Sequence, residues 1–145
     1  KVPTVEHKQE FILGKAQLLS EGTDVTIMAC GTMVMEALAA VSELAGQGVK
    51  ARLLNVHTIR PLDTQAVLDA ARTTKGIVVC EEHSTFGGLA SSVDEVVAES
   101  YPAKVLRVGI RGRFGQSGEP EQLFKEYKIS SADIVKAALT IAKPT

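Results

Sequence analysis

Charge of one sign is the first thing this sequence lacks. Its 16 basic and 17 acidic residues are interspersed and sum to a net charge of −1, so there is neither a basic stripe for nucleic acid nor a polybasic segment for a membrane surface. No apolar run approaches the roughly 20 residues needed to cross a bilayer, and the first ten residues, KVPTVEHKQE, have nothing like the apolar core of a signal peptide. These absences lead us to expect a soluble, cytoplasmic protein with no nucleic-acid or membrane partner. Cysteine is scarce as well. Cys30 and Cys80 each end an apolar run, where a free thiol commonly serves as a small hydrophobe, so reduced structural thiols are expected rather than a bridge. Three scattered histidines and two lone cysteines make no metal-ligand spacing. A P-loop, a complete dinucleotide fingerprint and a Gly-x-Ser-x-Gly elbow are also missing.

What is present suits one compact domain. At 145 residues, 45% of them hydrophobic, the chain is long enough to bury about 70% of its unfolded surface without a metal or disulfide staple. Its start at Lys1 rather than at methionine reads as a sign of excision from something longer.

The patterning alternates strand and helix. Residues 15 to 20 make a candidate edge strand, and Val25 to Cys30, nearly all apolar and rich in β-branched residues, reads as a strand covered on both faces. From Met33 to Gln47 the apolar positions Val34, Leu38, Val41 and Ala45 recur every three or four residues, predicting a helix stopped by Gly46 and Gly48. The alternation then repeats: strand from Ala51 to Val56, helix from the N-cap Asp63 to Thr73, strand from Gly76 to Glu81, helix after Gly87-Gly88, strand from Lys104 to Gly109. Two short helices follow a polar loop, from Pro120 to Tyr127 and from Ser131 to Ala142, the last opened by a Ser130–Asp133 capping pair. Four βα units require a mostly parallel sheet with helices on both faces, a three-layer α/β/α domain. Residues 1–14 read as a linker or extension and 15–145 as the domain.

Three features sit just past the carboxyl ends of strands, where open α/β sheets place functional groups. Cys30-Gly31-Thr32 opens a helix whose first N–H groups suit an anion, or simply begins a packed helix. Glu81-Glu82-His83-Ser84 places a carboxylate beside an imidazole, a general acid/base arrangement or a polar interface. His57 to Asp63, with Arg60 and Pro61, reads as a well-capped loop, and Gly87-Gly88 as a close approach serving an interface or a ligand.

Taken in order, these phrases resemble a known family. Gly14-Lys15-Ala16, Glu21 to Ile27, Ala29-Cys30-Gly31-Thr32, Thr58 to Asp63, and Glu81-Glu82-His83 with Gly87-Gly88-Leu89 are similar to the C-terminal domain shared by transketolases, 1-deoxyxylulose-5-phosphate synthases and 2-oxoacid dehydrogenase β subunits. The loop Arg113 to Gly118 with Glu119-Pro120-Glu121-Gln122-Leu123 and Tyr127 most resembles transketolases, particularly those made as two polypeptides.

The resemblance implies a five-stranded mixed sheet whose first strand runs antiparallel. It implies an enzyme that moves two-carbon ketol units between sugar phosphates, with thiamine diphosphate as electron sink. In that family the cofactor and its metal, Mg, are held by an N-terminal domain with a Gly-Asp-Gly motif and by a middle domain. No catalytic, cofactor or metal residue is therefore assigned to this chain. Expected partners are the N-terminal domains or subunit, within a homo-oligomer such as a dimer, and interface or regulatory candidates are Arg60, Asp63, Glu82, His83, Gly87, Gly88, Arg113, Gln116 and Ser117. The rival readings are one of the two other enzymes and a stand-alone module for a small regulatory anion.

Overall fold

A computed structural model describes residues 10–112 and 117–143, without the side chains of residues 120 and 121. Five strands and five helices alternate as expected: β1 (Gln17–Ser20), β2 (Val25–Ala29), α1 (Met33–Gly46), β3 (Ala51–Asn55), α2 (Thr64–Thr73), β4 (Ile77–Ser84), α3 (Leu89–Ser100), β5 (Val105–Ile110), α4 (Pro120–Glu126) and α5 (Ser131–Ala142). They form one mixed sheet in the order β1-β3-β2-β4-β5. β1 pairs antiparallel with β3, and every other pairing is parallel.

The central strand β2 explains why its sequence is so apolar. All five of its residues are buried, because β3 and β4 flank it and helices cover both faces. Val25, Ile27 and Ala29 point into a core shared with α1 and α5, where Leu44, Ile134 and Ile141 pack. Met28 points the other way, into a core with Val67 of α2 and Leu89 and Val93 of α3. Each such large side chain contributes about 1.5–3 kcal/mol through burial. Thr26, on that second side, is fully buried yet satisfied by the Thr74 hydroxyl at 3.1 Å.

Two local expectations need correction. Gly46 does not stop α1 but is its last residue. The stop comes at Gly48, whose N–H donates to the Ala45 carbonyl at 3.0 Å while that of Val49 donates to Leu44 at 2.9 Å, a pattern that satisfies the last helical carbonyls. The strand predicted to end at Glu81 continues to Ser84, because an irregularity between Cys80 and Ser84 lets β4 resume pairing at Ser84 opposite Ile110. Among the described residues, no helix is long and apolar enough to cross a membrane.

Candidate functional site

From β2 the chain goes to β3 on one side and later to β4 on the other, so connections diverge at the carboxyl ends of β2 and β4. Open α/β sheets form their ligand crevices at such a switch point. Here it is an open crevice of about 460 Å³, lined by Cys30 to Thr32 after β2, Glu81 to His83 of β4, Gly87 and Gly88 before α3, and Ile59 from the β3–α2 loop.

The crevice walls are largely self-satisfied. Glu81 is 2% exposed, and its carboxylate accepts from the backbone N–H groups of Leu89 at 2.8 Å and Ala90 at 3.1 Å. Those are the first N–H groups of α3, so a strand residue supplies the helix with its cap and with charge matched to the dipole. This explains Gly88. A Cβ there would lie 2.8 Å from the Glu81 carboxylate carbon and closer still to Oε2, so its lack of a side chain serves the carboxylate, not an approach to another backbone. Glu82, on the opposite side of the strand, is exposed and accepts a hydrogen bond from the Thr32 hydroxyl at the start of α1. Gly31 takes φ +59°, and a Cβ added there would meet open space, so it makes the turn into α1 and does not serve close packing.

Glu81 and His83 hold different partners. Glu81 faces inward to α3, whereas the exposed His83 holds its Nδ1 2.9 Å from the Ser84 carbonyl. A carbonyl only accepts, so Nδ1 is the protonated nitrogen in that contact. Half-buried Cys30 is a poor nucleophile: burial, reinforced by the Glu81 carboxylate, pushes its thiol up to about 11. Burial raises Cys80 further, with smaller contributions from Cys30 and Glu81. Both thiols are free, and they pack into the two different cores.

The donor set does not fit a metal-chelated diphosphate. The Glu81 carboxylate already takes the first N–H groups of α3, the Glu82 carboxylate accepts from the Thr32 hydroxyl beside the start of α1, and among the described residues no lysine or arginine lines the crevice. Among the described residues, no group of three or more His, Cys, Asp or Glu is placed to hold a metal. The small-anion reading meets the same obstacle.

Of the expected interface residues, Arg60, Glu82, His83 and Gly87 are exposed around this end of the sheet, and Ser117 is exposed in the later loop. Asp63 and Gly88 are turned inward. Asp63 caps α2 through the Ala66 N–H at 3.2 Å, as its sequence position predicts, and also accepts from the Ala16 N–H at 3.0 Å and pairs with Lys15 at 3.7 Å. Arg113 and Gln116 lie outside the described residues. Sequence reasoning missed the cap formed by Glu81, whose signal is a glutamate ending a buried strand just before a Gly-Gly helix start. It also missed Glu36 of α1, whose carboxylate accepts from the Ser131 N–H at 2.6 Å and so caps α5.

Comparison with known proteins agrees with this architecture. A 6-deoxy-6-sulfo-D-fructose transketolase subunit from Clostridium sp. (strain MSTE9) is 49% identical over 129 residues, which cover 89% of this chain and 40% of the relative. A subunit of an apulose-4-phosphate transketolase from Phocaeicola vulgatus is 40% identical, covering 92% of this chain and 43% of the relative. Among solved structures, one described as a split gene transketolase, inactive beta4 tetramer, superposes with a TM-score of 0.90 at 38% identity, over 98% of this chain and 48% of that one. The chain thus spans less than half the length of each. Residues 14–134 match the family model for the transketolase C-terminal domain. With its five-stranded mixed sheet and its antiparallel first strand, the chain belongs to the transketolase C-terminal domain family.

Proposed function

We propose that this chain is the C-terminal domain of a cytoplasmic transketolase assembly that transfers two-carbon ketol units between sugar phosphates, and that it braces the assembly without touching the reacting atoms. The observation that carries this reading is the pairing of the family match over residues 14–134 with a switch-point crevice in which the Glu81 carboxylate already takes the first N–H groups of α3 and the Glu82 carboxylate holds the Thr32 hydroxyl. Thiamine diphosphate and Mg are accordingly assigned to the other domains, on the same polypeptide or on a partner subunit. Arg60, Glu82, His83 and the loop containing Arg113, Gln116 and Ser117 meet those domains, while Asp63, Gly87 and Gly88 shape the surface that does so. A homo-oligomer of the whole, such as a dimer, completes the proposal.

The test is reconstitution. This chain alone is expected to show no thiamine diphosphate binding by calorimetry and no turnover of a ketose phosphate with an aldose phosphate. Together with the thiamine-binding domains it yields that activity, and His83→Ala lowers assembly while leaving kcat per assembled enzyme within about twofold. Retention of the cofactor by the chain alone would refute the proposal. So would a complete enzyme that condenses pyruvate with glyceraldehyde 3-phosphate, the synthase reaction.

A further inference from the structure

Large apolar side chains left in water are unevenly placed on this domain. Among the described residues, the exposed ones are Phe11, Ile12, Leu13, Phe86 and Tyr101. Topology assigns each an end of the sheet. Phe11 to Leu13 precede β1, which is antiparallel to β3, so they lie beside the carboxyl end of β3. Phe86 follows β4, at the carboxyl end again. Tyr101 lies between α3 and β5, at the opposite, amino end, and there Arg72 stands over its ring at 5.8 Å. Phe86 is 72% exposed and Leu13 70%, and the exposed Arg60, Glu82 and His83 lie at the same end. An apolar patch with polar residues around it is the usual form of a binding surface.

The Phe11–Leu13 segment is also held in place. Phe11 packs on the His57 ring with centroids 4.3 Å apart, and Asp63 holds both Lys15 and Ala16. Within the turn, the Lys15 N–H donates to the Ile12 carbonyl at 3.0 Å. These contacts make a strap across the β3–α2 loop, not a loose tether. A pre-ordered segment presents its side chains to a partner with less entropy to lose.

From these observations we infer that the Phe11–Leu13 strap and Phe86 form one docking surface, and that its occupant is the thiamine-binding part of the transketolase. The inference rests on the proposed function and extends it by naming the residues that carry the binding. Three points select that occupant. The chain spans less than half of the length of its relatives, so the remainder of such an enzyme, to which the cofactor is assigned, has to be held against some face of this domain. The matched family is a C-terminal domain, so in its members the other domains come earlier in the chain than the segment that corresponds to the strap. The exposed polar residues Arg60, Glu82 and His83 lie at the same end of the sheet, as expected of contact between domains.

The test uses the complete enzyme carrying Leu13→Glu, Phe86→Glu or both, with Tyr101→Glu as a control at the far end. Assembly is read by sedimentation if the thiamine-binding domains are a separate subunit, and by splitting of a single calorimetric transition if they share the polypeptide. Each carboxylate at the surface should weaken assembly tenfold or more, about the effect of losing one hot-spot side chain. Tyr101→Glu should leave assembly unchanged, as should the circular dichroism of every variant. The milder Leu13→Ser and Phe86→Ser should weaken assembly less, in the same order. Normal assembly of the double variant with full transketolase activity would overturn the docking surface and leave the proposed function standing. A wild-type enzyme without transketolase activity would overturn both. Dissociation of copies of this chain from one another, with the thiamine-binding part still attached, would assign the surface to self-association and overturn the inference.

Discussion

Glu81 and Gly88 show how one residue fixes the chemistry of its neighbour. A buried carboxylate is tolerated where charged hydrogen bonds replace water, and Leu89 and Ala90 supply them. Ala at position 88 must push that carboxylate off the α3 amides and leave buried donors unpaired. Gly88→Ala is therefore expected to lower the unfolding free energy by about 2–4 kcal/mol in urea titrations. Gly46→Ala, where a Cβ meets nothing, should be neutral or stabilising by up to about 1 kcal/mol. In a Glu81→Ala background Gly88→Ala should cost markedly less, and an additive cycle would refute the coupling. The sequence made the glycine pair conspicuous without revealing its reason. Glu81 and Gly88 become neighbours through the path of the backbone between β4 and α3, which local spacing does not encode.

At the level of elements, helices were legible because each has an apolar stripe and a recognisable start or stop. Asp63 and the Ser130–Asp133 pair sit where local capping chemistry puts them, with the Ser130 N–H 3.0 Å from the Asp133 carboxylate. The second partners of these helix starts were not legible. Ala16 is 47 positions from Asp63, and Ser131 is 95 from Glu36, separations over which periodicity carries no information. The double role of Asp63 has a measurable consequence. Asp63→Ala removes the α2 cap and releases the strap together, for a loss of about 2 kcal/mol, and trypsin should then cleave after Lys15 many times faster than in the wild type. Asp63→Asn, which keeps an acceptor oxygen, should fall between. Equal cleavage rates in all three would show that the strap is held without Asp63.

For the molecule as a whole, the two cysteines report on the sheet. Cys80 lies fully buried on β4 and half-buried Cys30 just beyond β2, at the crevice, so Cys80 is not reached without opening the centre of the domain. Burial raises both thiols, Cys30 to about 11 from an ordinary 9.0, so between those values the native state keeps protons that the unfolded chain releases. Stability is thus full below about pH 9 and declines as pH rises toward 11. Urea midpoints taken from pH 7 to 10.5 should show that decline, and Cys30→Ser together with Cys80→Ala should flatten it. A slope unchanged in the double variant would place its origin elsewhere. The three-layer architecture was legible because buried parallel strands announce themselves as apolar runs. The docking surface was not, since Phe86 and Leu13 look in sequence like any other core residues and only topology brings them to one end.

The bond between Glu81 and the start of α3 also limits how such a domain can change over generations or in the hands of an engineer. Positions 81 and 88 are coupled sterically, so a side chain gained at 88 is expected to require a change at 81. A β4–α3 connection transplanted from a relative will be accepted only if it arrives without a side chain at 88, or if the glutamate departs with the loop it replaced.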